Sequence, residues 1–235
     1  MCFSVGKALK GIPRDSFVIS SKVGRYEKNI EKMFDFSAEK TEAGVDNTLR
    51  LLGLDYVDLI QVHDATFASD LSIVLKETLP TLERLVRDGK ARYIGLADYD
   101  IDLMKEIIEE TDVKISSVLS YAKGTLIDNR LQNYTKYFMS KGVGVINAAA
   151  TGMGLLTSNG PQSWHPASDE IKAICRQEHN VELARIATWY SINQPDITTN
   201  LCGFYNIDQM VDTMEVIENG LSDREKKVLA EIQNR

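Results

Sequence analysis

The chain has 235 residues, 43% hydrophobic and 26% charged, a composition that suits a globular protein and argues against a disordered or fibrous one. Its formal net charge of −7 disfavours non-specific binding to nucleic acid or to acidic membranes. Cys2, Cys175 and Cys202 are odd in number and widely spaced, which argues against a disulfide framework or a metal site and for a reducing compartment. No run approaches the ~18 apolar residues of a membrane span, and the amino terminus lacks a signal-peptide apolar core. A cytoplasmic protein is expected, with no metal, no nucleic-acid partner and no membrane partner.

Residues 5–10 read as the tail of a helix stopped by Gly11 and Pro13. A strand is expected at about 17–23, ending near Lys22, and then a loop over 24–36 with Tyr26, Phe34 and Phe36. Ser37 is a good N-cap for a helix to Leu52, and Gly53 its natural stop. Val45, Leu49 and Leu52 give that helix one buried face. The run Asp55-Tyr-Val-Asp-Leu-Ile-Gln-Val-His-Asp64 reads as a strand. Alternation puts Val57, Leu59, Gln61 and His63 on one face, and apolar residues on both faces suit a strand covered on both sides.

A helical pattern over about 70–88 contains Pro80, which must start or kink it. A strand at 92–97, a helix near 101–110, a strand at 115–121, a helix near 128–140 and a strand at 143–148 follow. The loop at about 149–167 carries three glycines and two prolines, and loops this long are usually functional or mobile. Helices near 168–178 and 181–193, a strand near 198–203 and helices near 207–218 and 222–233 complete the chain. Ser222 or Asp223 can cap the last one.

Six strands, each followed by helix, demand a parallel sheet. Gly24 stands alone where an open dinucleotide-binding sheet would need a G-x-G-x-x-G loop. Lys22 and His63 each close a strand, and ionisable groups at strand ends fit the C-terminal face of a barrel. The expectation is a single α/β domain over residues 1–235, of the (β/α)8 TIM-barrel type. About six of its eight βα units are present, so the barrel is expected to be N-terminally incomplete.

Three segments resemble signatures of the aldo-keto reductases. They are the run from Gly6 to Gly24, the run from Leu51 to His63, and Gly89-Lys-Ala-Arg-Tyr-Ile-Gly95. Gln61-Val-His-Asp64, the run from Gly144 to Ala150 and the run from Gly154 to Pro166 resemble the L-galactose dehydrogenase-like branch in particular. The resemblance implies an oxidoreductase passing hydride between a nicotinamide cofactor and a sugar, aldehyde or alcohol. It also implies a tetrad of Asp, Tyr, Lys and His, of which Lys22 and His63 match the last two. The Asp and Tyr have no counterparts, since in the family they lie upstream of the first helix. An alternative is therefore a truncated, impaired relative that only binds or is inactive. Tyr26 lies past the strand end and is read as a loop aromatic.

The same resemblance places Ala97, Asp98, Ala148, Gly203, Phe204, Asn206 and Gln209 at the cofactor. Ala97 and Asp98 stand where many members hold the carboxamide, and Ala148 where many stack a Tyr on the ring. No basic side chain lies between Gly203 and Gly220, while Asp208, Asp212, Glu215 and Glu218 do. A 2′-phosphate would meet repulsion there, so NAD is expected over NADP. A monomer is expected, with association possible through exposed sheet edges. Trp164-His165-Pro166 either shapes a pocket or anchors its loop, and His179 reads as surface. A third reading makes Lys22 a Schiff-base nucleophile.

Overall fold

The computed structural model of the protein describes residues 2–175 and 181–233, so His179 lies outside the described residues. Strands and helices alternate as expected, with six strands among the described residues. They fall into two compact units. The described residues up to Leu119, with Lys141–Gly144, form the first; Ser120–Ser140 and the described residues from Val145 onward form the second.

The first unit opens with α1 (Cys2–Leu9). β1 (Ser20–Val23) is shorter than the expected 17–23. The reason is local: Arg14–Ser16 form a 3-10 turn, and the Asp58 carboxylate accepts the Ile19 N–H at 2.9 Å. In α2 (Ala38–Leu52), Ser37 Oγ accepts the Lys40 N–H at 3.3 Å, and Gly53 closes the helix at φ 67°. β2 (Val57–His63) is largely buried along its length. The next helical stretch is broken: α3 (Leu71–Ile73) passes through a π-helical turn, Val74–Thr78, into α4 (Leu79–Arg87). Pro80 has no N–H to donate. It therefore sits in the first turn of α4, where none is needed, and the widened turn before it absorbs the change of pitch.

β3 (Ala91–Asp98) and α5 (Ile101–Glu110), capped by Asp100, lead to β4 (Ser117–Tyr121), which begins in this unit and ends in the next. β1 pairs with β2 and β2 with β3, all parallel, with Lys22 level with Gln61, Gln61 with Gly95 and His63 with Ala97. Ile60, Val62, Leu79, Leu82, Leu85, Leu96, Met104 and Ile107 are all but wholly buried and form the core of the unit. Each such side chain contributes about 1.5–3 kcal/mol.

The second unit holds α6 (Gln132–Ser140), β5 (Gly144–Ala148, from Val145 on), α7 (Asp169–Cys175), α8 (Leu183–Ile192), β6 (Thr199–Leu201), α9 (Ile207–Asn219) and α10 (Asp223–Gln233). α6 starts at Gln132 rather than 128 because Thr125 Oγ1 and Asp128 hold 125–130 in turns. β5 pairs parallel with β6. Leu156, Leu183, Ile186, Ala187, Val216 and Leu221 make its core, with Trp189 and Leu229 packed on it. Ser222, not Asp223, caps α10: its Oγ accepts the Glu225 N–H at 3.3 Å, and Glu225 Oε2 accepts the Ser222 N–H at 2.7 Å, a capping box.

Four strands leave the sheet in the same way. The residue after β1, β2, β4 and β5 is left-handed: Gly24 (φ 103°), Asp64 (57°), Ala122 (59°) and Ala149 (61°). The last ladder bonds come just before the turn: Asp64 N–H donates to Ala97 O at 2.8 Å, and Ala122 N–H to Ala148 O at 3.0 Å.

Candidate active site

Within the first unit the structure brings Lys22, His63, Ala97 and Asp98 to the C-terminal ends of neighbouring strands. Lys22 is level with Gln61, and His63 lies two residues further along the same face. Gln61 is 1% exposed, and its Oε1 accepts the Ser20 hydroxyl at 3.2 Å. Gly95 makes room beside it: a Cβ there would lie 2.5 Å from Ser117 Oγ and 3.2 Å from Gln61 Cγ.

Lys22 is half-buried, and its ammonium has no hydrogen-bond or ion-pair partner among the described residues. Burial pushes its pKa down, and the charge of Asp64 offsets part of that. His63 Nε2 lies 3.6 Å from Asp64 Oδ2. Burial, then the charges of Lys22 and Arg25, bring the imidazole to about 4. It is uncharged at neutral pH, so its contact with Asp64 is not a salt bridge.

Asp64 and Arg25 were not picked out from sequence. Asp64 is 3% exposed, and its contacts are loose: Arg25 Nη1 at 3.5 Å and His63 Nε2 at 3.6 Å. Burial and the charge of Asp98 raise its carboxyl to about 6, against the pull of Arg25 and Lys22. The signal was present, since Asp64 follows His63 directly and Arg25 follows Lys22 by three. Alternation alone does not reveal that Asp64 is buried, because it lies past the strand end. A further wall was also missed: Phe34 stacks on Phe67 at 4.6 Å, with the Arg25 guanidinium 5.8 Å from the Phe34 ring.

Asp98 is 2% exposed and spends its oxygens locally, accepting Thr66 N–H and Asp100 N–H, each at 3.0 Å. Ala97 O already accepts the Asp64 N–H. These two residues thus offer a carboxamide no free side-chain donor. Tyr26 turns away onto α2, where a Cβ on Gly44 would stand 2.6 Å from its ring, which supports its reading as a packing aromatic.

The remaining expected cofactor residues belong to the second unit. Ala148 ends β5 and is 2% exposed. Gly203 and Phe204 follow β6. Asn206 caps α9, its Oδ1 accepting the Gln209 N–H at 2.9 Å, while Gln209 Oε1 accepts the Tyr205 N–H at 2.9 Å. Phe204 and Tyr205 are exposed at the start of α9. The start of α9 thus presents a capped terminus, the acidic Asp208 and two exposed rings. In the long loop, His165 is 7% exposed, with Nε2 3.0 Å from Gly152 O and Nδ1 accepting the Ala167 N–H at 3.1 Å. Those bonds set the tautomer, with the proton on Nε2, and make His165 a loop anchor.

Parallel strands with helices between them, and ionisable groups at the C-terminal strand ends, define the class of α/β barrel proteins. The chain belongs to the aldo/keto reductase family, whose model matches residues 4–234. It is 34% identical over 222 residues to L-galactose dehydrogenase of Arabidopsis thaliana, spanning 91% of this chain and 68% of that protein. It is 28% identical over 253 residues to D-arabinose 1-dehydrogenase of Saccharomyces cerevisiae, spanning 97% of this chain and 74% of that one. An aldo-keto reductase from Bacillus halodurans in its holo form has a similar structure, with a TM-score of 0.76 and 25% identity over 98% of this chain and 77% of the other.

Proposed function

We propose that the chain serves NAD-dependent hydride transfer between nicotinamide and a sugar, aldehyde or small alcohol, acting as one aldo-keto reductase-like domain in the cytoplasm. The observation that supports this reading most is the placing of Lys22 and a neutral His63 on one sheet face at adjacent strand ends. A neutral imidazole donates a hydrogen bond to the reacting oxygen without taking its proton. The Lys22 ammonium favours negative charge developing on that oxygen. When bound, the nicotinamide supplies or accepts the hydride. Ala97, Asp98, Ala148, Gly203, Phe204, Asn206 and Gln209 are the proposed cofactor residues. The acidic first turn of α9, with Asp208 and no basic side chain, favours NAD over NADP. Titration with both dinucleotides, followed by the fluorescence of Trp164 and Trp189, tests this; tighter NADP binding would refute it.

A second reading concerns rate. No residue of this chain matches the family's tetrad Asp and Tyr, and losing a general acid/base costs ~10²–10⁴ in rate. Weak or absent turnover is expected for these 235 residues alone. A steady-state NADH assay with aldose and aldehyde substrates decides it; turnover equal to that of an active aldo-keto reductase would overturn the reading. The chain is expected to be a monomer at low concentration.

A further inference from the structure

We propose that Asn147 is a positioning residue for the dinucleotide. Its side-chain amide sets the spacing between the strand end that carries Ala148 and the one that leads to Gly203 and Phe204. The inference rests on the nicotinamide reading above, which assigns those three residues to the cofactor. Successive side chains on a strand point to opposite faces. Asn147 therefore lies on the face of β5 away from Ala148 and acts through the backbone it holds.

Asn147 is 1% exposed. Its Nδ2 donates twice, to Gly124 O at 2.8 Å and to Asn200 Oδ1 at 3.0 Å. The first acceptor lies in the loop after β4; the second is on β6, level with Asn147. One amide thus ties three neighbouring strand ends, all within the second unit. The Gly124 carbonyl also accepts the Ser191 hydroxyl of α8 at 3.1 Å. At the start of the same loop, Ala122 N–H donates to Ala148 O at 3.0 Å. On the other side, β6 runs from Asn200 towards Gly203. The tie therefore links the Ala148 strand end to the beginning of the Gly203–Gln209 segment.

The amide is present for placement rather than for stability. Asn147 Oδ1 is buried with no partner among the described residues. A buried acceptor left unpaired is costly, and an apolar side chain would not carry that cost. The loop also comes unusually close. A Cβ on Gly124 would stand 2.7 Å from Asn147 Oδ1 and 3.0 Å from Nδ2, so this approach requires a residue with no side chain. The direction of the amide is set by the same contact, since a backbone carbonyl can face only the N–H side. A dinucleotide binds more tightly than its ADP-ribose part only when the nicotinamide end meets its subsite at the right spacing. Holding that spacing in advance is what a rigid tie between strand ends supplies.

The test compares the affinities of NADH and ADP-ribose by isothermal titration calorimetry, in the unaltered protein and in two variants that break the tie from opposite sides. Asn147→Ala removes the amide, and Gly124→Ala pushes the loop off it. Each variant is expected to bind NADH about tenfold more weakly and ADP-ribose within about twofold of the unaltered protein. Circular dichroism is expected to show both folded, and should one fail to fold, the other decides. Failure of both to fold, an equal loss for the two ligands, or no loss for NADH would make the amide structural only and overturn the proposal. In those cases NADH binding by the unaltered protein leaves the nicotinamide reading standing. If the unaltered protein binds no NADH, that reading falls and the positioning role falls with it.

Discussion

His63 and Asp64 are neighbours with opposite linkage to folding. His63 falls from 6.5 to about 4 in the folded chain. The unfolded chain therefore takes up that proton first as pH falls, and stability is lost on acidification between about 6.5 and 4. Asp64 rises from 3.8 to about 6. The folded chain holds its proton through that window, so the same acidification adds stability. The two nearly cancel. Replacing one partner should uncover the other: Asp64→Asn is expected to lose about 1 kcal/mol between pH 7 and pH 4.5, after allowance for solvent screening, and His63→Gln to gain over the same range. Urea denaturation at both pH values checks this, and parallel changes in the two variants would contradict it. A second residue-scale prediction concerns Asp58, 5% exposed, which holds Arg14 at 2.5 Å, Arg92 at 3.1 Å and the Ile19 N–H. Both guanidiniums also lie over Tyr56, at 4.0 and 4.4 Å. Burial works against the Asp58 charge, but these bonds outweigh it and hold its pKa down. Asp58→Ala is expected to cost ~3 kcal/mol of unfolding free energy. Lys22 and His63 were legible in sequence because each stands at or next to the end of a strand-like run. Asp58 was not, because its partners come from distant parts of the chain.

At the scale of elements, helix ends were legible wherever a side chain or glycine marks them. Ser37 and Gly53 act where a cap and a stop are expected. The shortening of β1 and the π-helical turn before Pro80 were not legible. The first depends on Asp58 reaching Ile19; the second depends on how a proline is accommodated once its helix is packed. The left-handed exits give an element-scale prediction. Ala149 carries a Cβ at φ 61°, which costs ~1 kcal/mol. Ala149→Gly is expected to raise Tm slightly or leave it unchanged, and Ala149→Val to lower it by several degrees. Thermal unfolding followed by circular dichroism compares them; a loss with glycine equal to that with valine would show that the backbone there is unstrained.

At the scale of the molecule, α9 leaves an apolar stripe open to solvent. Ile207, Met210, Val211, Met214 and Ile217 are 44–72% exposed and recur at helical spacing. Apolar patches of this kind mark interaction or association sites. In each unit an outer strand also has only one partner strand among the described residues, β1 with β2 and β6 with β5. Concentration-dependent association is expected by sedimentation velocity, reduced in the double variant Val211→Glu, Met214→Glu; a single species at all concentrations would speak against it. No described helix is long and apolar enough to cross a membrane. The alternation of strand and helix, and with it the fold class, was legible from end to end. The exposed stripe was not, because periodicity shows that a helix has an apolar face but not what covers it.

The amides that follow β2 and β4 fasten those strand tips to their neighbours through the backbone. Past the tip of β2 the Asp98 carboxylate adds one more tie, and it too is made to a backbone amide, that of Thr66. Rim segments can therefore be exchanged between homologues, or rebuilt to change substrate preference, while the scaffold beneath keeps its alignment. Grafting a foreign connection over residues 65–70 ought to alter what the molecule recognises long before it alters whether the molecule folds.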